Sequence, residues 1–172
     1  SANFTADPVS GCLPLEVSFN NLSQNANTYS WNFGDGSTST EENPVHQYTS
    51  EGAFTVQLTA SDGTTEDVLT QTGYITVGAP PEVEINVTNA SGADVADGSA
   101  EATVTGGTEP YDYLWSNGDT DPVMENVLPG QYSLMVTDAL GCMVTEPVVI
   151  DFIDALWTQE ASFSIYPNPA DK

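Results

Sequence analysis

Short runs in which apolar and polar residues alternate recur along the whole 172-residue chain, and no stretch repeats its apolar residues with a period of 3.6. Alternation puts successive side chains on opposite faces, so each run reads as a half-buried strand, and a chain built only of such strands must fold as packed sheets. In the clearest run, Tyr29, Trp31 and Phe33 alternate with Ser30 and Asn32 and place three rings on one face. Gly34-Asp35-Gly36 ends it, because glycine takes positive φ cheaply and an aspartate can fold back onto nearby N–H groups. Leu15, Val17 and Phe19 make another strand behind Pro14. Phe54, Val56, Leu58 and Ala60 make a third, opened by Gly52 and turned by Ser61-Asp62-Gly63. The opening Ser-Ala-Asn-Phe-Thr, Val45–Tyr48 and Gly73–Val77 complete a set that ends in a stiff linker, Gly78-Ala79-Pro80-Pro81.

The second half repeats the first. Tyr113, Trp115, Gly118 and Asp119 match Tyr29, Trp31, Gly34 and Asp35 at a constant offset of 84, and Gly130–Thr137 matches Gly52–Thr59 at 78. The six-residue difference lies in the connection between them, so one architecture occurs twice. Val83, Ile85 and Val87 read as its first strand, Ala100, Ala102 and Val104 as its second, and Val144, Val148 and Ile150 as its last. The expected fold is all-β: two tandem immunoglobulin-like β-sandwich domains, 1–79 and 82–151, followed by a short C-terminal strand or tail, 152–172. The length also favours two small domains over one.

Composition excludes whole classes of partner. With 25 acidic residues against one Lys or Arg, the net charge is −24, and the lone cation, Lys172, is the last residue. Nucleic acid is excluded, because phosphate binding needs Lys and Arg to displace counterions. Arginine clamps for carboxylates or phosphates are excluded too. Such one-sided charge repels itself, so the fold is expected in salt or with cations. No apolar run approaches the ~20 residues that span a bilayer. The opening residues lack a signal peptide's basic and apolar regions, and the chain reads as a piece of something larger.

WNFGDG, NPVHQY and GAFTVQLTASDG, in that order, resemble the PKD domain over about residues 1–78. That resemblance makes Trp31, Phe33, Asp35, His46 and Tyr48 parts of a structural core motif, with Trp115 the matching tryptophan of the second copy. VTGGTEPYDYLW and LPGQYSLMVTDALGC, within about 82–151, are similar to the SprB-type repeat of bacterial gliding and surface adhesins, although the earlier cysteine common near the Ser91–Gly98 loop is missing. Phe163-Ser-Ile-Tyr166-Pro167-Asn168-Pro169, within about 160–172, resembles the opening of the C-terminal sorting domain of type IX secretion, the rest of which lies outside this sequence.

The candidate sites are few. Trp31 and Trp115 could stack on sugars, but both lie on alternating apolar faces and are read as core. His46 has no activated nucleophile or Gly-x-Ser-x-Gly elbow beside it, so no catalytic residue is assigned and the segment is read as non-enzymatic. One histidine and two distant cysteines cannot build a four-ligand zinc site. Asp94 and Asp97 in one loop, with Asp119 and Asp121 in another that seven-strand topology places at the same end, are the candidate ligands for calcium, the one cofactor the sequence raises. The spacing is not an EF-hand, and carboxylates cluster by chance in so acidic a chain. Four Asn-x-Ser/Thr sequons, at Asn3, Asn21, Asn86 and Asn89, carry little weight in strands rich in Asn and Thr.

Cys12 and Cys142, one per repeat, are paired by topology. Both loops are expected to face the Gly78–Pro81 junction, where a bridge needs Cα atoms within about 7 Å. Such a bridge closes a loop of 130 residues, for a chain-entropy gain of very roughly 5 kcal/mol. A bridge between molecules and two buried free thiols are the competing readings. The expected function is a modular segment of a secreted bacterial surface protein, acting in adhesion or as an extracellular rod or fibre subunit exported by type IX secretion. Its expected partners are other surface proteins, its own copies, extracellular polysaccharide and the export machinery. The alternative is accessory modules trailing a secreted hydrolase.

Overall fold

The structure is a computed structural model and describes residues 1–153. It is all-β: among the described residues there are fourteen strands and no helix. In chain order they are β1 (Phe4–Asp7), β2 (Ser10–Cys12), β3 (Leu15–Asn21), β4 (Thr28–Asn32), β5 (Thr38–Ser39), β6 (Val45–Tyr48), β7 (Gly52–Ser61), β8 (Glu66–Gly78), β9 (Glu82–Thr88), β10 (Gly98–Thr105), β11 (Asp112–Trp115), β12 (Val123–Val127), β13 (Gly130–Thr137) and β14 (Met143–Ile150). Contacts divide the chain into two compact units. One is Ser1–Glu82 with Val104–Asp112 and Val136–Val144, and the other is Val83–Thr103 and Tyr113–Met135 with residues 145–153.

In the first unit a three-stranded sheet, β1-β3-β6, faces a five-stranded sheet, β2-β8-β7-β4-β5. The alternating residues of both meet in one core. Phe4, Leu15, Val17, Phe19 and Tyr48 come from the first sheet, and Trp31, Val56, Leu58, Ile75 and Val77 from the second. The inner faces of the two sheets thus meet as the core of a sandwich. β3 pairs antiparallel with both β1 and β6, with Val17 opposite His46. β4 pairs with β7, setting Trp31 opposite Leu58.

Three strands of this unit lie wholly or partly beyond the alternation in the sequence: β2, the two-residue β5 and the first half of β8. β8 starts at Glu66 rather than near Gly73, because its first half is mostly polar and exposed, and a bulge sets Thr55 against three residues of β8. β2 joins the sheet through three parallel pairs with β8, so Cys12, expected in a loop, and Gly78, expected in the linker, are registered against each other within strands.

The second segment supplies two three-stranded sheets, β12-β10-β9 and β11-β13-β14. Buried Ala100, Ala102, Met124 and Val127 come from the first, and Trp115, Leu134, Val136, Val148 and Ile150 from the second. β12 is a strand the alternation does not reveal. Asn126 takes the left-handed conformation (φ 56°), and a bulge puts Gly98 opposite Val127 and Ala100 opposite Met124. Its two buried residues therefore stand three apart instead of two. Val87, expected to face inward, is 42% exposed.

Candidate functional site

The residues around the end of β4 form the most organised polar and aromatic cluster of the first unit. Trp31, Phe33 and Tyr48 are buried, and the Tyr48 hydroxyl donates to the Phe33 carbonyl at 3.0 Å. Trp31 Nε1 donates to the carbonyl of Glu41 at 2.9 Å, which satisfies the indole and ties down the connection after the strand. In the second copy Trp115 Nε1 does the same to the carbonyl of Asp121, at 2.9 Å.

The Gly-Asp-Gly turn adds a contact between an acid and the histidine. Asp35 Oδ1 accepts the Ser37 N–H, and Oδ2 lies 2.7 Å from His46 Nε2. The His46 ring stacks on Phe33, with centroids 4.3 Å apart and planes 4° from parallel, and meets the edge of Tyr48. Asp35 and His46 thus cap the margin of the core, their side chains each 15% exposed, rather than filling it. Burial by itself would raise the Asp35 carboxyl. Hydrogen bonds from Ser37 and His46, with the histidine's charge, outweigh it and hold the carboxyl below its usual range. Burial, and then the Asp35 charge, push the Tyr48 phenol up. The Asp35 carboxylate, His46 Nε2 and the Tyr48 hydroxyl each meet a neighbour within the fold, so the cluster works chemically as a clasp between β4 and β6.

The four aspartates of the calcium expectation are not gathered. Among the described residues no three His, Cys, Asp or Glu side chains come together around a metal position. Asp97 Oδ1 instead accepts the Ser91 N–H at 2.8 Å, and hydrogen bonds from Ser91 lower its carboxyl. Asp119 Oδ2 accepts from the Asn117 amide at 2.7 Å. Asp121 contributes its main-chain carbonyl to Trp115, and Asp94 is exposed. Asp97 and Asp119 thus have carboxylate oxygens engaged within their own loops.

Cys12 and Cys142 are joined in a disulfide with Cα atoms 5.4 Å apart, both within the first unit. The sorting motif, Tyr166, Pro167, Asn168 and Pro169, lies outside the described residues. One organised residue escaped the sequence reading. Asp138 is buried and bound by three backbone N–H groups. The signal available for it was an acidic residue four places before Cys142 in a turn with Gly141.

These features define a class: paired immunoglobulin-like sandwiches closed by aromatic and backbone hydrogen bonds. Residues 3–77 match the PKD domain family, and residues 85–120 match the SprB repeat. Collagenase ColA of Bacillus cereus is 41% identical over 80 residues, which cover 44% of this chain and 8% of that protein. The microbial collagenase of Vibrio alginolyticus is 59% identical over 32 residues, 19% of this chain and 4% of that protein. The chain therefore spans under a tenth of the curated relatives it matches. Among solved structures, a 282-residue C-terminal fragment of intimin, in complex with the intimin-binding domain of its translocated receptor, aligns over 88% of this chain and 64% of its own, with TM-score 0.62 and 10% identity. The first eight Ig domains of Down syndrome cell adhesion molecule align over 88% of this chain and 24% of theirs, with TM-score 0.52 and 12% identity. At such identity the likeness is one of fold. PKD and SprB modules are typical of extracellular and surface proteins, and among the described residues no helix is long and apolar enough to cross a membrane.

Proposed function

We propose that this chain is a non-catalytic segment of a secreted bacterial surface protein, exported by type IX secretion, that presents sandwich modules for adhesion or as an extracellular rod or fibre subunit. The observation that carries the reading is the succession of a PKD match and a SprB match along one all-β chain. Its partners are copies of itself, other surface proteins or extracellular polysaccharide. The test is to offer the purified chain to insoluble polysaccharides and to itself, following retention and sedimentation together with release of soluble sugar or peptide. Retention or self-association without turnover is expected. Turnover that a point substitution in the chain abolishes would overturn the reading. The export step is tested in the whole protein, where Tyr166→Ala with Asn168→Ala is expected to stop it reaching the surface.

A second reading is favoured by the collagenase matches: these are accessory modules of a secreted hydrolase. The coding sequence upstream of Ser1 separates the two. A catalytic domain there supports the hydrolase, and further sandwich repeats support the surface protein.

A further inference from the structure

Among the described residues Asp138 is the one charged side chain that is buried, with 4% of its surface exposed. A buried carboxylate is costly unless it is hydrogen-bonded, and here both oxygens accept. Oδ1 accepts the N–H groups of Leu140 at 2.9 Å and Cys142 at 2.8 Å, and Oδ2 accepts that of Thr108 at 2.9 Å. The main chain closes the same turn: Asp138 N–H donates to the Cys142 carbonyl at 2.9 Å, and Gly141 N–H, at a φ of +81°, donates to the Asp138 carbonyl at 3.0 Å. One carboxylate therefore fixes the path of residues 138–142, which ends on a cysteine.

We propose that Asp138 is the positioning residue of the Cys12–Cys142 disulfide, holding the turn in the form that presents the Cys142 sulfur to Cys12. The receiving side is equally set. Cys12 is registered opposite Gly78 in the parallel β2–β8 pair, and Leu13 N–H donates to the Gly78 carbonyl at 2.9 Å. A Cβ on Gly78 would stand 2.7 Å from Leu140 Cδ1 and 3.3 Å from Cys142 Sγ, so the turn closes directly over Gly78, and a side chain there would have to displace the tip of Leu140. All of these residues belong to the first unit.

Oxidation by a small disulfide such as glutathione disulfide takes two exchanges. One cysteine thiolate attacks a glutathione sulfur, forming a mixed disulfide and expelling one glutathione thiolate. The other cysteine thiolate attacks the protein sulfur of that mixed disulfide, forming the Cys12–Cys142 bond and expelling the second. Two electrons pass to glutathione, and the two thiol protons end on the expelled thiolates. The second exchange is intramolecular, so its equilibrium measures how well the fold holds the sulfurs together.

The experiment compares the equilibrium of the full chain with glutathione for wild type and Asp138→Asn. Asparagine keeps one oxygen but turns amide hydrogens toward an N–H donor. The equilibrium constant for the bridge is expected to fall about tenfold, the scale of losing a hydrogen bond to a charged group. A folded variant with an unchanged constant overturns the proposal. The reciprocal measurement needs no change at Asp138 and so survives a variant that does not fold. In the Cys12→Ser, Cys142→Ser protein, hydrogen exchange at the Thr108 and Leu140 amides is expected to accelerate, because coupling acts equally in both directions. Unaltered protection would mean that the carboxylate staples the turn independently of the sulfurs, which also overturns it.

Discussion

Tyr48 does two things at one position: its ring fills the core, and its hydroxyl satisfies the buried Phe33 carbonyl. Tyr48→Phe keeps the ring and strands the carbonyl, and is expected to lower unfolding free energy by about 1–2 kcal/mol, read from urea denaturation at unchanged m-value. Asp62 shows the other residue-scale device. Its carboxylate accepts the Thr65 and Thr64 N–H groups and both hydroxyls, the Thr65 backbone bond acting most strongly, and these hold its carboxyl well below the ordinary value of 3.8. A group depressed on folding stabilises the fold fully above its unfolded value and loses that contribution as pH falls through its folded value. The acid limb of stability below about pH 4 should therefore be shallower in Asp62→Asn, as urea midpoints measured against pH would show. Asp35 is depressed as well and adds a slope of the same sign in the same window.

At the scale of the element, β4 and its turn depend on how closely backbones approach. Gly34 has a φ of +86°, and a Cβ there would lie 2.5 Å from the Thr55 carbonyl oxygen, at the bulge of the β7–β8 pair. Gly36 has a φ of +95° but nothing within 4 Å. The two glycines thus separate conformational cost from steric cost. Gly36→Ala is expected to cost about 1 kcal/mol, the left-handed penalty alone. Gly34→Ala should cost more than about 2 kcal/mol, because backbone must also move. Equal costs in thermal unfolding would show that the Thr55 contact yields freely. The bulges also explain what alternation could not reveal. β8 was legible only from Gly73 on, and β12 not at all, since a bulge changes the spacing of inward residues from two to three or four.

For the whole molecule, the governing quantity is a net charge of −24. Raising NaCl from about 10 mM to about 1 M shortens the Debye length from roughly 30 Å to roughly 3 Å, and the melting temperature is expected to climb steeply over the lower part of that range. A flat response would mean that self-repulsion is not the main destabilising term. Calcium chloride at matched ionic strength is expected to add no saturable step, since Asp97 and Asp119 already accept hydrogen bonds in their own loops. A step that saturates with calcium and disappears in Asp97→Asn would establish the ion site.

The sequence by itself determined the all-β class and the inward faces of the main strands of the first module. Period-two patterning and glycine-marked turns are local consequences of the backbone, and Trp31, Val17, Leu58 and Trp115 are buried where alternation puts them. It also carried the order of motifs by which the two modules were recognised. What only the tertiary structure decided are relations between residues far apart in the chain. The Asp35–His46 clasp, the meeting of Cys12 with Cys142 across 130 residues, and the burial of Asp138 behind Thr108 leave no periodic trace. Each depends on which strands become neighbours, and sheet pairing is set by the packing of the whole core rather than by any window of sequence.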